Sequence, residues 1–109
     1  GGWFPFWAAP EQVRILTIND TVLEYVDKIT TILSDITLME PVRYNDVRFT
    51  IDSRNESLGK KIREATSMKI PVQLIVGPRD MEANEVSVRT QSGEEKISLE
   101  QLAEYIRSL

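Results

Sequence analysis

Short strand-like runs alternate with helix-like stripes along this chain, and this alternation restricts the fold more than any other feature of the sequence. Residues 13–18 form a mostly apolar run that predicts a central strand. A capping-box pattern at Thr21 and Glu24 then predicts a helix, whose apolar stripe continues to about residue 36. Because strands linked by helices are the repeating pattern of α/β sheets, the chain is predicted to be an α/β domain.

Further strands and helices follow this first pair. Residues 47–52, 72–76 and 86–90 have the composition of strands, and a short second helix is predicted around Leu58 and Ile62. The short gap between the last two strands predicts a hairpin, and a capping box at Ser98 and Gln101 opens a final helix. The order β-α-β-α-β-β-α predicts one mixed sheet, mostly parallel with an antiparallel edge, and three helices.

The length of 109 residues fits one domain. Residues 1–12, which are rich in aromatic residues and proline, are predicted to be a lead-in from an upstream domain, and residues 13–109 the domain itself. Residues 38–46 match no predicted element and are expected to form a surface loop.

Composition excludes several kinds of site. The chain has no cysteine and no histidine, so disulfides, Cys/His zinc sites and histidine-activated nucleophiles cannot form within it. No apolar run approaches the ~18 residues that span a bilayer, so we expect a cytoplasmic protein, with an organelle matrix as the alternative. The net charge of −4 argues against strong nucleic-acid binding, although residues 54–89 carry seven basic and five acidic side chains. RNA binding by this domain alone should therefore be weak.

A polar corner, residues 52–65, joins the second predicted strand to the second helix. It lies outside the carboxyl end of a strand, where ligands usually bind in open α/β sheets. Three kinds of chemistry fit such a corner: phosphate binding at the helix N-terminus, acid–base or phosphoacceptor chemistry by Asp20 and Asp52, and recognition of unpaired RNA bases. A phosphate-binding glycine loop is missing from the sequence, and so is the lysine that a phosphoacceptor site needs after the third strand. From composition alone, RNA recognition and an ordinary charged surface without a ligand are equally good interpretations of this corner.

The succession of motifs resembles one family. Residues 7–13, Trp-Ala-Ala-Pro-Glu-Gln-Val, are similar to the lead-in of the C-terminal anticodon-binding domain of threonyl-tRNA synthetases. Residues 52–63 are similar to that family's Asp-x-Arg-x-Glu-x-Ile-Gly-x-Lys-Ile-Arg, and Val-Ser-Val-Arg-Thr at 86–90 follows in the family's order. The resemblance covers essentially the whole chain. It implies a mixed sheet of five strands with three helices, in which residues 94–97 supply the fifth strand.

This resemblance implies recognition of the anticodon loop of tRNA(Thr), whose second and third anticodon bases are G and U. It assigns base recognition to Arg89 and Asp80, since a guanidinium matches the acceptors of guanine and a carboxylate accepts from its N–H groups. It implies further RNA contacts around the second helix, by Asn55, Glu56, Ser57, Lys61 and Arg63. The chain departs from the family pattern at Asp80, where glutamate is usual, and at Pro78 and Ser57, where an acidic residue and lysine are common.

The parent protein that the resemblance implies is a class II, ATP-dependent threonine–tRNA ligase. Its catalytic domain would hold ATP, Mg²⁺ and Zn²⁺, and the parent would be a homodimer. For this chain we predict no catalytic residue, metal or cofactor, and no aminoacylation activity of its own. The expected partners are the anticodon loop of tRNA(Thr) and the catalytic domain of the parent chain, with no DNA or membrane partner.

Two other functions stay open. The domain could come from a sister synthetase, prolyl, histidyl or glycyl, because these enzymes share the Asp-x-Arg corner. It could instead be a protein-interaction module that reuses this fold, which its low net charge and aromatic lead-in would suit.

Overall fold

The computed structural model describes residues 5–39 and 44–109. The strands of this part of the chain are β1 (Val13–Thr17), β2 (Thr37–Met39), β3 (Tyr44–Asp46), β4 (Phe49–Asp52), β5 (Val72–Val76), β6 (Glu85–Thr90) and β7 (Gly93–Ser98). Its α-helices are α1 (Leu23–Ser34), α2 (Leu58–Ser67), α3 (Pro78–Ala83) and α4 (Leu99–Arg107).

The main sheet has the strand order β4-β1-β5-β6-β7. Strand β1 runs parallel to both β4 and β5, whereas β6 is antiparallel to β5 and to β7. Strands β2 and β3 form a separate antiparallel ladder. The predicted α/β fold, a mixed sheet with an antiparallel edge, is therefore confirmed, and residues 93–98 supply the fifth strand.

The hydrophobic core lies between one face of the main sheet and helices α1 and α4. Alternate residues of the strands, such as Ile15 and Leu74, point to this face because successive side chains of a strand alternate between the two faces. Helices α1 and α4 cover them with buried residues that include Ile29, Leu33 and Leu102. Each fully buried side chain of this size contributes about 1.5–3 kcal/mol. The stability of the domain depends mainly on this face.

Polar contacts attach helix α2 to the opposite face. Lys61 of α2 is only 1% exposed, and its Nζ donates to the backbone oxygen of Thr17 at 2.8 Å. At the end of β4, Asp52 accepts two hydrogen bonds from Arg54, both at 2.8 Å, and Arg54 also pairs with Glu64 of α2. These contacts fix α2 over the carboxyl ends of β1 and β4.

Side-chain hydrogen bonds attach the lead-in to the end of the sheet at which β4 begins. A single 3₁₀ turn, Phe6–Ala8, precedes β1, and Gln12 donates to the Phe6 oxygen at 2.9 Å. Arg48 donates to the backbone oxygens of Trp7 at 2.9 Å and Ala9 at 3.1 Å. Of the aromatic residues of the lead-in, Phe6 packs against the core, Trp7 is about half exposed, and Trp3 lies outside the described residues.

Some local predictions were wrong. The capping box at Thr21 and Glu24 does not form: Asn19 accepts from the Thr21 amide at 3.0 Å, and a 3₁₀ turn precedes α1. The connection between β5 and β6 contains the short helix α3, since Pro78 suits the first position of a helix. The capping box at Ser98 is present.

The segment 38–46, expected to be a surface loop, contributes to the β2–β3 ladder, and its residues 40–43 lie outside the described part. The second predicted strand begins at Phe49 rather than at residue 47.

We predict that Lys61→Ala lowers the free energy of unfolding by about 2–4 kcal/mol, because it leaves a cavity and an unpaired Thr17 carbonyl. Lys60→Ala is the matched control: Lys60 is partly exposed and pairs with Glu56 one turn away, so its loss should cost less than about 0.5 kcal/mol. Urea unfolding of both variants measures this difference. Equal stabilities would show that Lys61 does not hold α2.

A second prediction concerns pH. Hydrogen bonds from Arg54 lower the pKa of Asp52 against the effect of its burial. Since its pKa is lower in the folded state, ionised Asp52 stabilises the fold above its unfolded pKa of about 3.9, and this stability is lost as the pH falls through the folded value. The stability difference between the wild type and Asp52→Asn should therefore be largest near neutral pH and shrink in acid. A difference that stays constant down to pH ~2 would contradict the assignment.

Candidate nucleic-acid interface

The face that carries α2 is left open over β6 and β7. A groove of about 680 Å³ lies there, which we name the open groove. Its floor is apolar, and its rim is charged. The lining residues are Ile18, Leu58, Ile62, Ile75, Gly77, Pro78, Arg79, Asp80, Ser87, Arg89, Glu94 and Lys96. An apolar floor with a few polar groups is the usual make-up of a small-molecule or base-binding cleft.

Arg89 is the residue to which the resemblance assigns base recognition. It is an exposed residue of β6 and faces the open groove. Its direct cross-strand neighbours are Gln73 on β5 and Glu94 on β7. The guanidinium is thus presented on the uncovered half of the sheet, between a buried amide and an exposed carboxylate.

Asp80 lies at the base of the same groove but is only 5% exposed. Its Oδ2 accepts from the Gly77 amide at 2.9 Å, which caps the start of α3, and its Oδ1 is 3.5 Å from Nζ of Lys96. In this structure the Asp80 carboxylate therefore has a local structural role. Its negative charge also acts on Tyr25: burial, followed by the charges of Asp80 and Glu85, raises the pKa of the Tyr25 hydroxyl to about 12.

The predicted contacts at the start of α2 stand beside the open groove. Asn55, Glu56 and Ser57 are exposed and precede Leu58, which lines the groove. Ser57 caps α2 by accepting from the Lys60 amide at 3.2 Å. Glu56 pairs with Lys60 at 3.2 Å.

Arg63 is exposed one residue beyond Ile62, which lines the open groove, and its Nη1 lies close to Gly59. Lys61 is different. Its ammonium group is buried against Thr17, away from any surface that RNA could contact. The structure thus brings Asp80 and Arg89 into one groove and leaves Lys61 outside it.

Sequence reasoning missed several residues of the groove. Arg79 and Lys96 contribute cations to its rim, and Ile18 and Ile62 contribute to its floor. Lys96 could have been found only with the pairing of β7, which places it opposite Ser87. Ile62 was interpreted as part of a buried helix face, which it partly is.

Within residues 5–39 and 44–109, no three acidic side chains lie close enough to hold a metal ion. No helix in the same ranges is long and apolar enough to cross a membrane.

The open groove combines the cations of Arg79, Arg89 and Lys96 with an apolar surface, which suits an anionic ligand with flat rings.

Comparison with known proteins gives the same family that the motifs suggested. A model of the anticodon binding domain matches residues 12–109. The threonine–tRNA ligase of Clostridium botulinum strain Hall is 38% identical in an alignment that covers 98% of this chain and 16% of that protein. The threonine–tRNA ligase of Maridesulfovibrio salexigens is 39% identical in an alignment that covers 97% of this chain and 15% of that protein. The chain thus spans less than a fifth of the length of these curated relatives.

Solved structures share the fold. The RNA binding domain of threonyl-tRNA synthetase from Cryptosporidium parvum superposes with a TM-score of 0.82 at 24% identity, covering 98% of this chain and 25% of that one. Prolyl-tRNA synthetase from the same organism gives 0.81 at 24% identity, covering 99% and 22%. The predicted resemblance is confirmed, and the chain belongs to the anticodon binding domain family.

Proposed function

We propose that this chain is the part of a threonine–tRNA ligase that recognises the anticodon loop of tRNA(Thr). The observation that carries the proposal is Arg89, an exposed guanidinium in an open groove of a chain that belongs to the anticodon binding domain family. The identity of 38–39% to threonine–tRNA ligases supports threonine as the amino acid.

The groove suggests how an unpaired guanine would bind. Its flat face would contact the apolar floor near Ile62 and Pro78, as flipped bases contact apolar side chains in other proteins. Arg89 would donate two hydrogen bonds to the O6 and N7 acceptors of the guanine. Arg79 and Lys96 on the rim would lie near the backbone phosphates of the loop.

The remaining predicted contacts divide into two groups. Asp80 stays a candidate for base recognition, because it lines the groove and its Oδ1 has only long contacts, with Oγ of Ser87 at 3.4 Å and Nζ of Lys96 at 3.5 Å. Asn55, Glu56, Ser57 and Arg63 stay candidates, because they are exposed beside the groove. Lys61 is not proposed as an RNA contact, because its ammonium group is buried.

The parent protein is also part of the proposal. Because the chain spans 16% of the Clostridium botulinum ligase, we propose that aminoacylation takes place in a separate catalytic domain. That domain would bind ATP, Mg²⁺ and Zn²⁺, and the parent would be a cytoplasmic homodimer. This chain alone would bind RNA without aminoacylating it.

The sister synthetase is the second candidate, favoured by one observation. The prolyl enzyme superposes almost as well as the threonyl domain, with TM-scores of 0.81 and 0.82. At 24% identity both likenesses concern the fold alone, and the higher identity to the threonine–tRNA ligases favours the first candidate.

Titration of this domain with a threonine anticodon stem-loop at low salt tests the proposal. The control is the same hairpin with the central G of the anticodon replaced by A. We expect tighter binding of the G-containing loop. Equal binding of the two hairpins would contradict base recognition and would leave phosphate attraction as the source of affinity.

We predict that Arg89→Ala costs about 1–3 kcal/mol in binding the G-containing loop and removes the preference over the A-containing loop. The physical reason is the loss of the paired hydrogen bonds to guanine. Arg107→Ala, on the far helix α4, is the matched control and should change neither affinity nor preference. If Arg89→Ala weakens both hairpins equally, Arg89 contacts phosphate instead.

The contrasting prediction concerns Arg79, an exposed residue of the groove rim. Arg79→Ala should weaken both hairpins alike, because a phosphate contact carries no sequence information. It should also reduce the slope of log Kd against log salt by about 1. A loss confined to the G-containing loop would assign Arg79 to base recognition.

A further inference from the structure

A second, smaller cavity of about 190 Å³ adjoins the open groove, and Arg89 lines both. Gln73 of β5 lies on its other side and is only 3% exposed. Its Nε2 donates to Oγ1 of Thr66 on α2 at 3.0 Å. Among the described residues, Oε1 of Gln73 is the one buried side-chain polar atom without a hydrogen-bond partner.

A buried acceptor destabilises the fold unless a donor reaches it, so a donor is expected within reach of Oε1 of Gln73. Two arginines stand directly opposite Gln73 on the neighbouring strands, Arg14 on β1 and Arg89 on β6. Arg14 is engaged with the Glu11 carboxylate through Nε and Nη2, whereas Arg89 makes no hydrogen bond or ion pair with the described residues. The Cβ atoms of directly opposed residues are about 4.5–5.5 Å apart, and the side chain of arginine carries five N–H donors. The Arg89 guanidinium can therefore reach Oε1 by rotating its own side chain into the smaller cavity.

We infer that Gln73 is a positioning residue for Arg89: its Oε1 accepts a hydrogen bond from the guanidinium and fixes the orientation in which Arg89 meets a base. The inference deepens the proposed anticodon recognition and rests on it for its effect on RNA. One N–H directed to Gln73 leaves other N–H groups for the O6 and N7 atoms of guanine.

Gln73 and Glu94 flank Arg89 with different chemistry. Glu94, on the other side of Arg89, is an exposed carboxylate on β7. Its pairing with Arg89 would be screened by water and would compete with RNA. The neutral amide of Gln73 can hold the guanidinium without cancelling the charge that attracts RNA. This makes a buried glutamine better suited to the task than a carboxylate.

The test is a double-mutant cycle on hairpin preference. Gln73→Met keeps the length of the side chain and removes both of its polar atoms, so no polar atom of this side chain is left buried without a partner. With Arg89 present, it should reduce the preference for the G-containing loop by about five- to tenfold, which is within the range for the net loss of one ordinary hydrogen bond. With Arg89→Ala in place, Gln73→Met should change binding less than about twofold. Equal losses in both backgrounds would mean a purely structural role and would overturn the inference.

Gln101→Met, on α4 at the opposite face, is the matched control and should leave the preference unchanged. A second measurement needs no RNA. The NMR signal of the Arg89 Nε–Hε group, identified by its absence from Arg89→Ala, should exchange with solvent more slowly in the wild type than in Gln73→Met. Identical exchange in the two proteins would overturn the inference. If the wild type shows no hairpin preference, anticodon recognition fails, and the exchange measurement still decides the role of Gln73.

Discussion

The placement of helix α2 on the sheet depends on a buried contact between the ammonium group of Lys61 and the carbonyl oxygen of Thr17. A buried lysine needs close polar partners, because burying an isolated charge costs more free energy than most single contacts supply. The last carbonyl of β1 and the nearby carboxylate of Asp52 supply them. This contact sets α2 over one half of the sheet. The other half stays uncovered, and the open groove exists for that reason.

The two faces of the sheet therefore have separate tasks. The face under α1 and α4 is apolar and fully covered, which makes it the source of stability. The other face carries Gln73, Arg89 and Glu94 in one row across three strands, so its chemistry can vary without disturbing the core. Arg89, the residue proposed to recognise a base, lies on a rigid sheet rather than on a loop. A rigid support limits how far a guanidinium can deviate from the geometry that a base requires.

Sequence patterns predicted the parts of this molecule that bury apolar residues. Strands β1 and β5 are nearly continuous apolar runs, and periodicity identified α1, α2 and α4. Strand β7 was named only through the family resemblance, because its exposed charged residues give it no apolar alternation. Lys61 was predicted to contact RNA, although it lies four residues before Ala65 and shares its buried side of α2. The groove itself depends on pairings between distant strands, and no local pattern contains them.

The fastening of the lead-in has a mechanical consequence. Arg48 and Gln12 tie the backbone around Phe6 and Trp7 to the residues that enter β4, which is itself paired in parallel with β1. A pulling force applied before Pro5 would first act on the side-chain hydrogen bonds of Arg48 and Gln12. It would then act along the parallel strands β1 and β4, so that the hydrogen bonds between them would bear the force together. A lengthwise load resists rupture far better than one that opens a ladder bond by bond. The sheet would thus move as a rigid body when force acts on that end, and the open groove would keep its orientation relative to the lead-in.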